Sequence, residues 1–208
     1  MGSEIPDIII SRLPIYLRAL SRMLAAGQTV TSSQELGKRL GISSAQIRKD
    51  LSHFGEFGKQ GTGYQIKYLV GQLRRILKVE QEWPVALVGV GDLGHAILHY
   101  GGFQDRGFRI ALIFDSDPAK IGTVLNGYEI YAVARLGELI QTQAIVLAMV
   151  AVPAEAAQAV TDELVSAGVK GILNYAPLNL TVPDDVRVQY IDPVVHLQRM
   201  TYYVTSET

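Results

Sequence analysis

The segment Val85-Ala86-Leu87-Val88-Gly89-Val90-Gly91-Asp92-Leu93-Gly94 decides the fold of the second half of this chain. An apolar run typical of a buried strand leads directly into a G-x-G-x-x-G pattern, and a helical pattern follows over 92–101. Gly89 would allow a tight turn, Gly91 would let the backbone approach a pyrophosphate, and Gly94 would let the helix pack on the strand. The segment therefore predicts a dinucleotide site at a helix N-terminus, formed by Gly89, Val90, Gly91, Asp92, Leu93 and Gly94.

The residues that follow extend this unit into a sheet. Strand-like apolar runs recur at 109–114, 144–150, 171–174 and 188–191, and another clear helical pattern covers 154–168. Alternation of strands and helices is typical of a parallel sheet with helices on both faces. We therefore predict a Rossmann-type doubly wound α/β domain over residues 81–191.

An acidic residue closes the second predicted strand. Asp115 follows the run 109–114 at about the 20-residue offset expected for the carboxylate that binds the adenosine ribose. A carboxylate there accepts hydrogen bonds from the ribose hydroxyls and repels a 2′-phosphate, which favours NAD(H) over NADP(H). Two alternatives remain: Asp115 could be a turn residue before Asp117-Pro118, and Lys120 is close enough to weaken the discrimination.

Composition limits the class of protein. The 208 residues are 48% apolar and 19% charged, with no cysteine, which excludes a disordered chain, a disulfide scaffold and a zinc–thiolate site. No apolar run of about 18 residues and no signal-peptide pattern occur, so we expect no membrane segment and a cytoplasmic protein. The four histidines form no recognisable metal-ligand set, and we expect no metal.

Charge divides the chain unevenly. Residues 1–80 hold 12 of the 19 Lys and Arg but 6 of the 20 Asp and Glu, so a basic segment precedes an acidic one. The polar stretch before Pro84 separates them, and we predict a domain boundary near residue 80. A basic segment joined to an acidic one suggests two domains with different partners, although chance variation on solvated faces is the alternative.

The basic segment carries a helix-turn-helix pattern. Helices are predicted over 31–40 and 44–54 around a short turn at Gly41, and a glycine-rich hairpin over 57–66 would form a wing with Lys59 at its tip. A small helical packing domain is the alternative. The second helix is predicted to present five polar side chains outward, those of Gln46, Arg48, Lys49, Ser52 and His53.

These motifs together resemble the Rex family of bacterial redox-sensing repressors. The resemblance is carried by Arg48-Lys49-Asp50-Leu51-Ser52-His53-Phe54-Gly55-Glu56-Phe57-Gly58-Lys59 with Gly63-Tyr64, and by Arg12-Leu13-Pro14, Gly89 to Gly94, His99-Tyr100, Val152-Pro153-Ala154, Gly171-Ile172-Leu173-Asn174 and Ile191-Asp192. It extends over most of the chain. It implies a winged-helix domain over 1–80, a Rossmann domain over 81–191, and a C-terminal helix over 192–208 that is swapped between the subunits of a homodimer.

The resemblance also implies roles for individual residues. Arg48 and Lys49 would enter the major groove of operator DNA, with Lys59 and Tyr64 on the wing. Tyr100 would lie near the nicotinamide, and Val152, Pro153 and Asn174 would complete the site for NADH or NAD⁺.

We therefore predict a homodimeric transcriptional repressor that binds operator DNA and releases it when NADH binds, and not an enzyme. The alternative is a Rossmann oxidoreductase or nucleotide-binding regulator whose first domain serves only for assembly. We further predict an ion pair between Arg12 and Asp192 of opposite subunits in the DNA-binding arrangement. The alternative for this pair is two solvated end charges.

Overall fold

A computed structural model of the protein describes residues 5–59 and 62–204. The chain divides into two units, Met1–Gln81 and Glu82–Thr208, and this division lies one residue from the predicted boundary. No helix in the described part of the chain is long and apolar enough to cross a membrane.

The first unit consists of five helices and three short strands over its described residues. In chain order these are α1 (Asp7–Ile10), α2 (Leu13–Ala25), β1 (Val30–Thr31), α3 (Ser33–Leu40), α4 (Ser44–Ser52), β2 (Gly58–Lys59), β3 (Gly63–Gln65) and α5 (Ile66–Ile76). The strands form an antiparallel sheet in the order β1-β3-β2. The hairpin β2–β3 follows the two helices α3 and α4, as a winged helix requires, and its tip at residues 60–61 lies outside the described part.

Capping residues define the helix-turn-helix. The Ser32 hydroxyl accepts a hydrogen bond from the Glu35 N–H at 3.0 Å at the start of α3. Gly41 ends that helix with a φ of +68°, a conformation that favours glycine. The Ser43 hydroxyl then accepts from the Gln46 N–H at 3.2 Å and begins α4. Helix α4 ends at Ser52, two residues before the predicted end.

The apolar faces of helices α2 to α5 pack together in one core. Its buried residues are Leu13, Tyr16, Leu20, Met23, Leu36, Ile47, Leu51, Ile66, Leu69 and Leu73.

The second unit is the predicted Rossmann-type fold. Its elements are β4 (Trp83–Val88), α6 (Asp92–His99), β5 (Phe108–Asp115), β6 (Val124–Leu125), β7 (Tyr128–Ala132), α7 (Leu136–Thr142), β8 (Leu147–Val150), α8 (Ala154–Ser166), β9 (Gly171–Asn174), β10 (Arg187–Tyr190) and α9 (Pro193–Val204), with 3₁₀ turns at Gln104–Arg106 and Val133–Arg135. The sheet order is β10-β9-β8-β4-β5-β7-β6, and all neighbours are parallel except β6 and β7. Chain order reverses at β4, which creates the crevice where such sheets bind ligands.

Two apolar clusters cover the two faces of this sheet. Ala86 and Val88 of β4 pack on one face with α7 and α8, whereas Val85 and Leu87 pack on the other face with α6. The alternation explains why the run 85–88 is apolar at every position. Among the elements that were not predicted is the antiparallel hairpin of β6 and β7, whose turn is Asn126-Gly127, with φ angles of +49° and +84°.

Candidate functional site

The three glycines of the turn between β4 and α6 differ in their surroundings. Gly89 has a φ of +98°, and a Cβ there would lie 2.4 Å from the carbonyl oxygen of Ala151. A Cβ on Gly94 would lie 2.2 Å from the carbonyl oxygen of Gly89. A Cβ on Gly91, in contrast, would have no neighbour within 4 Å. The first and third glycines therefore allow close packing, and the second leaves open space at the N-terminus of α6, as a bound pyrophosphate requires.

This open space belongs to a hollow of about 500 Å³ at the carboxyl ends of β4, β5 and β8. We refer to it as the crevice, and its lining comprises Val88, Gly89, Val90, Gly91, Asp115, Ser116, Lys120, Val133, Ala151, Val152, Pro153, Ala156, Ala159, Val160 and Glu163. The structure brings six of the predicted cofactor residues together in this lining from three loops. They are Gly89, Val90, Gly91, Asp115, Val152 and Pro153. Asp92, Leu93 and Gly94 lie on α6 and are not part of the lining.

The lining residues that α8 contributes to the crevice were not predicted from the sequence. Ala156, Ala159, Val160 and Glu163 stand at i, i+3, i+4 and i+7, the spacing of one helix face. The predicted helix over 154–168 contained this signal, but the stripe begins with small residues and ends with a charge. It therefore did not stand out as a ligand surface.

The Asp115 carboxylate accepts more hydrogen bonds within the protein than expected for a group whose role is to bind a ribose. One carboxylate oxygen accepts from the Asp117 N–H at 2.8 Å, and the other accepts from the Val90 N–H at 2.8 Å and the Lys120 ammonium at 3.2 Å. Burial alone would raise the pKa of Asp115, but these bonds outweigh it and hold the pKa below its usual value. Asp115 thus forms the predicted turn and also holds the glycine turn in place. Its ribose contact stays a prediction that relies on the remaining acceptor positions of the carboxylate.

Two predicted cofactor residues lie away from the crevice lining. The Asn174 side chain is buried, and its amide donates to the carbonyls of Ala176 and Leu178, both at 3.0 Å. A bond from this amide to a cofactor would have to replace one of these two. Tyr100 is half exposed at the end of α6, where its hydroxyl accepts from Arg106 at 3.0 Å and its ring packs edge-on against Phe103. Within one chain, the structure does not bring Tyr100 to the glycine turn.

The outer face of α4 is a candidate DNA surface. Arg48, Lys49, Ser52 and His53 are all exposed on it, as predicted. The Arg48 guanidinium donates to the Ser33 hydroxyl at 3.1 Å, so α3 helps to orient it. Lys59 pairs with Gly63 in the wing, but its side chain lies outside the described part of the structure.

Tyr64 on β3 is half-buried and packs against the core of the first unit. Burial raises the pKa of Tyr64, and the nearby charge of Arg48 opposes that rise. The Tyr64 ring therefore lies close to the basic side of α4, and its contact with DNA stays a prediction.

Gln46 is placed differently from the prediction. Its amide does not point outward but donates to the carboxylate of Asp50 at 2.6 Å. Asp50 is fully buried and also accepts two bonds from Arg12, at 2.6 and 2.7 Å, and one from the Tyr16 hydroxyl at 2.6 Å. These four residues form what we call the Asp50 network, which joins the start of α2 to α4. The sequence contained a signal for the burial of Asp50, because this residue stands on the apolar stripe of α4 between Ile47 and Leu51.

Arg12 is therefore not a solvated end charge. Its Nε and Nη2 atoms bind Asp50 of the same chain, and its side chain is 20% exposed. Asp192 accepts the Val194 N–H at 2.9 Å and caps the start of α9. An ion pair between Arg12 and Asp192 of opposite subunits stays a prediction, and Arg12 could enter it through Nη1, which binds nothing in the described part of the chain.

The last helix has an apolar surface that its own chain leaves uncovered. None of the residues of α9 is buried. The exposed fractions of its large apolar side chains run from 56% to 76%, in a set formed by Val194, Val195, Leu197, Met200, Tyr202, Tyr203 and Val204. Exposed apolar surface of this extent marks an interaction site.

Comparison with known proteins identifies the family. A family profile described as "CoA binding domain" matches residues 80–178, and one described as "Putative DNA-binding protein N-terminus" matches residues 4–52. The chain is 54% identical to the redox-sensing transcriptional repressor Rex of Roseiflexus sp. (strain RS-1) over 98% of its own length and 93% of that protein. The chain belongs to the Rex family. Rex of Brevibacillus brevis is 48% identical to this chain, over 97% of the length of this chain and 98% of the length of that protein.

Solved structures of a Rex-family repressor, RSP, extend the comparison. RSP in complex with beta-NAD⁺ and operator DNA matches with a TM-score of 0.93 and 34% identity, over 99% of this chain and 94% of that one. RSP in complex with beta-NADH matches with a TM-score of 0.89 and 32% identity, over 99% and 96%. The predicted Rossmann-type α/β fold with an N-terminal DNA-binding domain is thus confirmed for this Rex-family chain.

Proposed function

We propose that this chain is a transcriptional repressor that binds operator DNA and is released from it by NADH. The observation that carries the proposal is that identity to proteins described as redox-sensing repressors extends over 98% of the chain, and so includes both the exposed face of α4 and the crevice. An oxidoreductase whose first domain serves only for assembly has no comparable support. A protein that acts on operator DNA would work in the cytoplasm.

The residues of the crevice fit a dinucleotide. Open space at Gly91 and the N–H groups at the start of α6 suit a pyrophosphate, while Val152 and Pro153 suit the apolar parts of the ligand. NAD⁺ and NADH differ only at the nicotinamide, which is cationic when oxidised and neutral when reduced. A response to NADH therefore has to originate at that ring, and Tyr100 is the aromatic side chain we assign to it.

We also propose that the repressor is a homodimer joined by α9. A helix that is apolar on several sides and buried on none of them suits insertion between the domains of a second subunit. The same arrangement would bring Asp192 of the partner subunit to Arg12. Because Arg12 already holds Asp50, an ion pair there would connect the partner's last helix to α4.

Operator release by NADH tests the function directly. DNA selected from a random pool by the full-length protein serves as the probe, and binding is followed by fluorescence anisotropy. We expect NADH to weaken binding by about 5- to 150-fold, the usual range of coupling between two sites, whereas NAD⁺ should permit or support it. If saturating NADH left the operator affinity unchanged, the proposed function would be wrong.

The variant Gly91→Val tests whether the response to NADH depends on the glycine turn. Gly91 has a φ of −81°, which valine tolerates, and the added side chain would enter open space instead of colliding with protein. We expect this variant to bind the operator with the parent's affinity but to lose the response to NADH. A full response would show that the pyrophosphate does not lie at this turn.

A further inference from the structure

The start of helix α3 is fixed by hydrogen bonds that do not involve the Ser33 side chain. The Ser32 hydroxyl caps the helix by accepting from the Glu35 N–H. The Glu35 carboxylate accepts from the Thr31 hydroxyl and from the Gln28 amide, both at 2.9 Å. Ser33 is the first residue of the helix and is half-buried. The backbone that carries its hydroxyl is therefore held in place, and the hydroxyl remains available to a side chain of another element.

That side chain is Arg48 of α4. Its Nη1 atom donates to the Ser33 hydroxyl at 3.1 Å, and this is the one hydrogen bond that the Arg48 guanidinium makes to the described residues. The Nε and Nη2 atoms, which form one of the bidentate edges of a guanidinium, are left open. Arg12 uses the same edge to bind both oxygens of Asp50, at 2.6 and 2.7 Å. The open edge of Arg48 can thus bind two acceptors at once, such as the O6 and N7 atoms of a guanine.

Lys49, the other cation assigned to the major groove, has no comparable anchor. Its side chain is exposed, and its ammonium makes no hydrogen bond or ion pair within the described part of the chain. A long side chain loses rotamer freedom when it is ordered by a partner, and this loss weakens binding. Because of Ser33, Arg48 has lost part of that freedom already in the free protein. Lys49 therefore adds charge to the outer face of α4, whereas Arg48 presents a directed pair of donors.

We propose that Ser33 is a positioning residue for operator recognition, which holds Arg48 in the orientation that reads one guanine of the operator. Two donors held in a fixed direction discriminate between base edges, whereas contacts to phosphates carry no sequence information. Ser33 thus acts through Arg48, and its loss should lower sequence preference together with affinity. The proposal rests on the proposed function, because it requires that the outer face of α4 contacts the operator.

A double-mutant cycle on operator DNA selected by the full-length parent tests this role. Fluorescence anisotropy would compare the parent, Ser33→Ala, Arg48→Ala and the double variant, on the operator and on operators with one G·C pair replaced at a time. The pair that Arg48 reads is the one whose replacement no longer matters in Arg48→Ala. We expect Ser33→Ala to weaken operator binding by about 2- to 10-fold, the cost of ordering one long side chain, and to reduce discrimination at that same pair. In the Arg48→Ala background, the change at Ser33 should have no effect.

Ser33→Thr and Ser21→Ala are the controls. Ser33→Thr keeps the hydroxyl and should retain the parent's affinity and discrimination, whereas Ser21→Ala removes a hydroxyl from the exposed face of α2 and should change neither. If Ser33→Ala weakened binding equally with and without Arg48, and to every sequence alike, Ser33 would contact the DNA backbone itself and the positioning role would be wrong. Unchanged affinity and discrimination in Ser33→Ala would also overturn that role and leave the proposed function intact. A parent protein that selected no DNA would overturn both.

Discussion

At the scale of single residues, the Asp50 network dominates the first unit. A fully buried carboxylate is tolerated only when its acceptor positions are filled, and three side chains fill those of Asp50. Burial alone would raise the pKa of Asp50, but bonds from Arg12, Tyr16 and Gln46 outweigh it, and the net pKa lies below its ordinary 3.8. The network therefore fixes the position of α4, whose outer face is the proposed DNA surface.

A depressed pKa in the folded state makes the network's stability dependent on pH. The contribution of Asp50 is complete above its ordinary pKa and is lost as the pH falls through the lower folded pKa. Asp50→Asn should thus destabilise α2 and α4 by about 3 kcal/mol at pH 7, the lower end for breaking a buried pair, because Arg12 stays partly solvated. The difference from the parent should shrink as the pH falls below about 4.

Hydrogen exchange in α2 and α4, measured in increasing urea at each pH, would give these free energies. Glu56→Gln, an exposed carboxylate on the same unit, should leave exchange in both helices unchanged. A difference between Asp50→Asn and the parent that stayed constant with pH would show that the cost is one of packing and not of charge.

At the scale of elements, the helices, strands and turns that depend on local sequence signals could be predicted. Glycine spacing, helix caps and apolar runs predicted the turn at Gly89, helices α3 and α4, and the winged hairpin. The hairpin β6–β7 was missed although Asn126-Gly127 is a strong turn signal, because β6 has only two residues. The partners of Gln46 and Asn174 are within four residues in the sequence, but their polar side chains predicted exposure or ligand contact instead. What the sequence did not indicate is which residues bind the buried Asp50, because Arg12 and Tyr16 are distant from it along the chain.

Helix α9 provides the prediction at this scale. If its apolar surface is covered by a second subunit, a charge placed there would be buried without a partner, and such burial is costly. Leu197→Asp should therefore shift the protein from dimer to monomer in sedimentation velocity. Gln141→Asp, which adds the same charge to an exposed position on α7, should remain dimeric. A Leu197→Asp protein that dimerised as tightly as the parent would exclude α9 from the interface.

At the scale of the whole molecule, the function requires that two sites in different units affect one another. A ligand shifts an equilibrium between two arrangements only through unequal affinity for them. The coupling is also reciprocal: if NADH weakens operator binding by a given factor, the operator weakens NADH binding by that same factor. Both factors can be measured on one preparation, the first by anisotropy of labelled DNA and the second by calorimetry with and without saturating operator.

The proposed ion pair makes this reciprocity a test of mechanism. If Arg12 holds the partner's Asp192 in the DNA-binding arrangement, Asp192→Asn removes an interaction from that arrangement alone. Operator affinity should then fall, NADH affinity of the DNA-free protein should stay equal or rise, and Arg12 should keep its bonds to Asp50. We expect the two coupling factors of the variant to remain equal to each other. Unequal factors would mean that a third equilibrium, such as dissociation of the dimer, carries the response, and an unchanged operator affinity would exclude Asp192 from the switch.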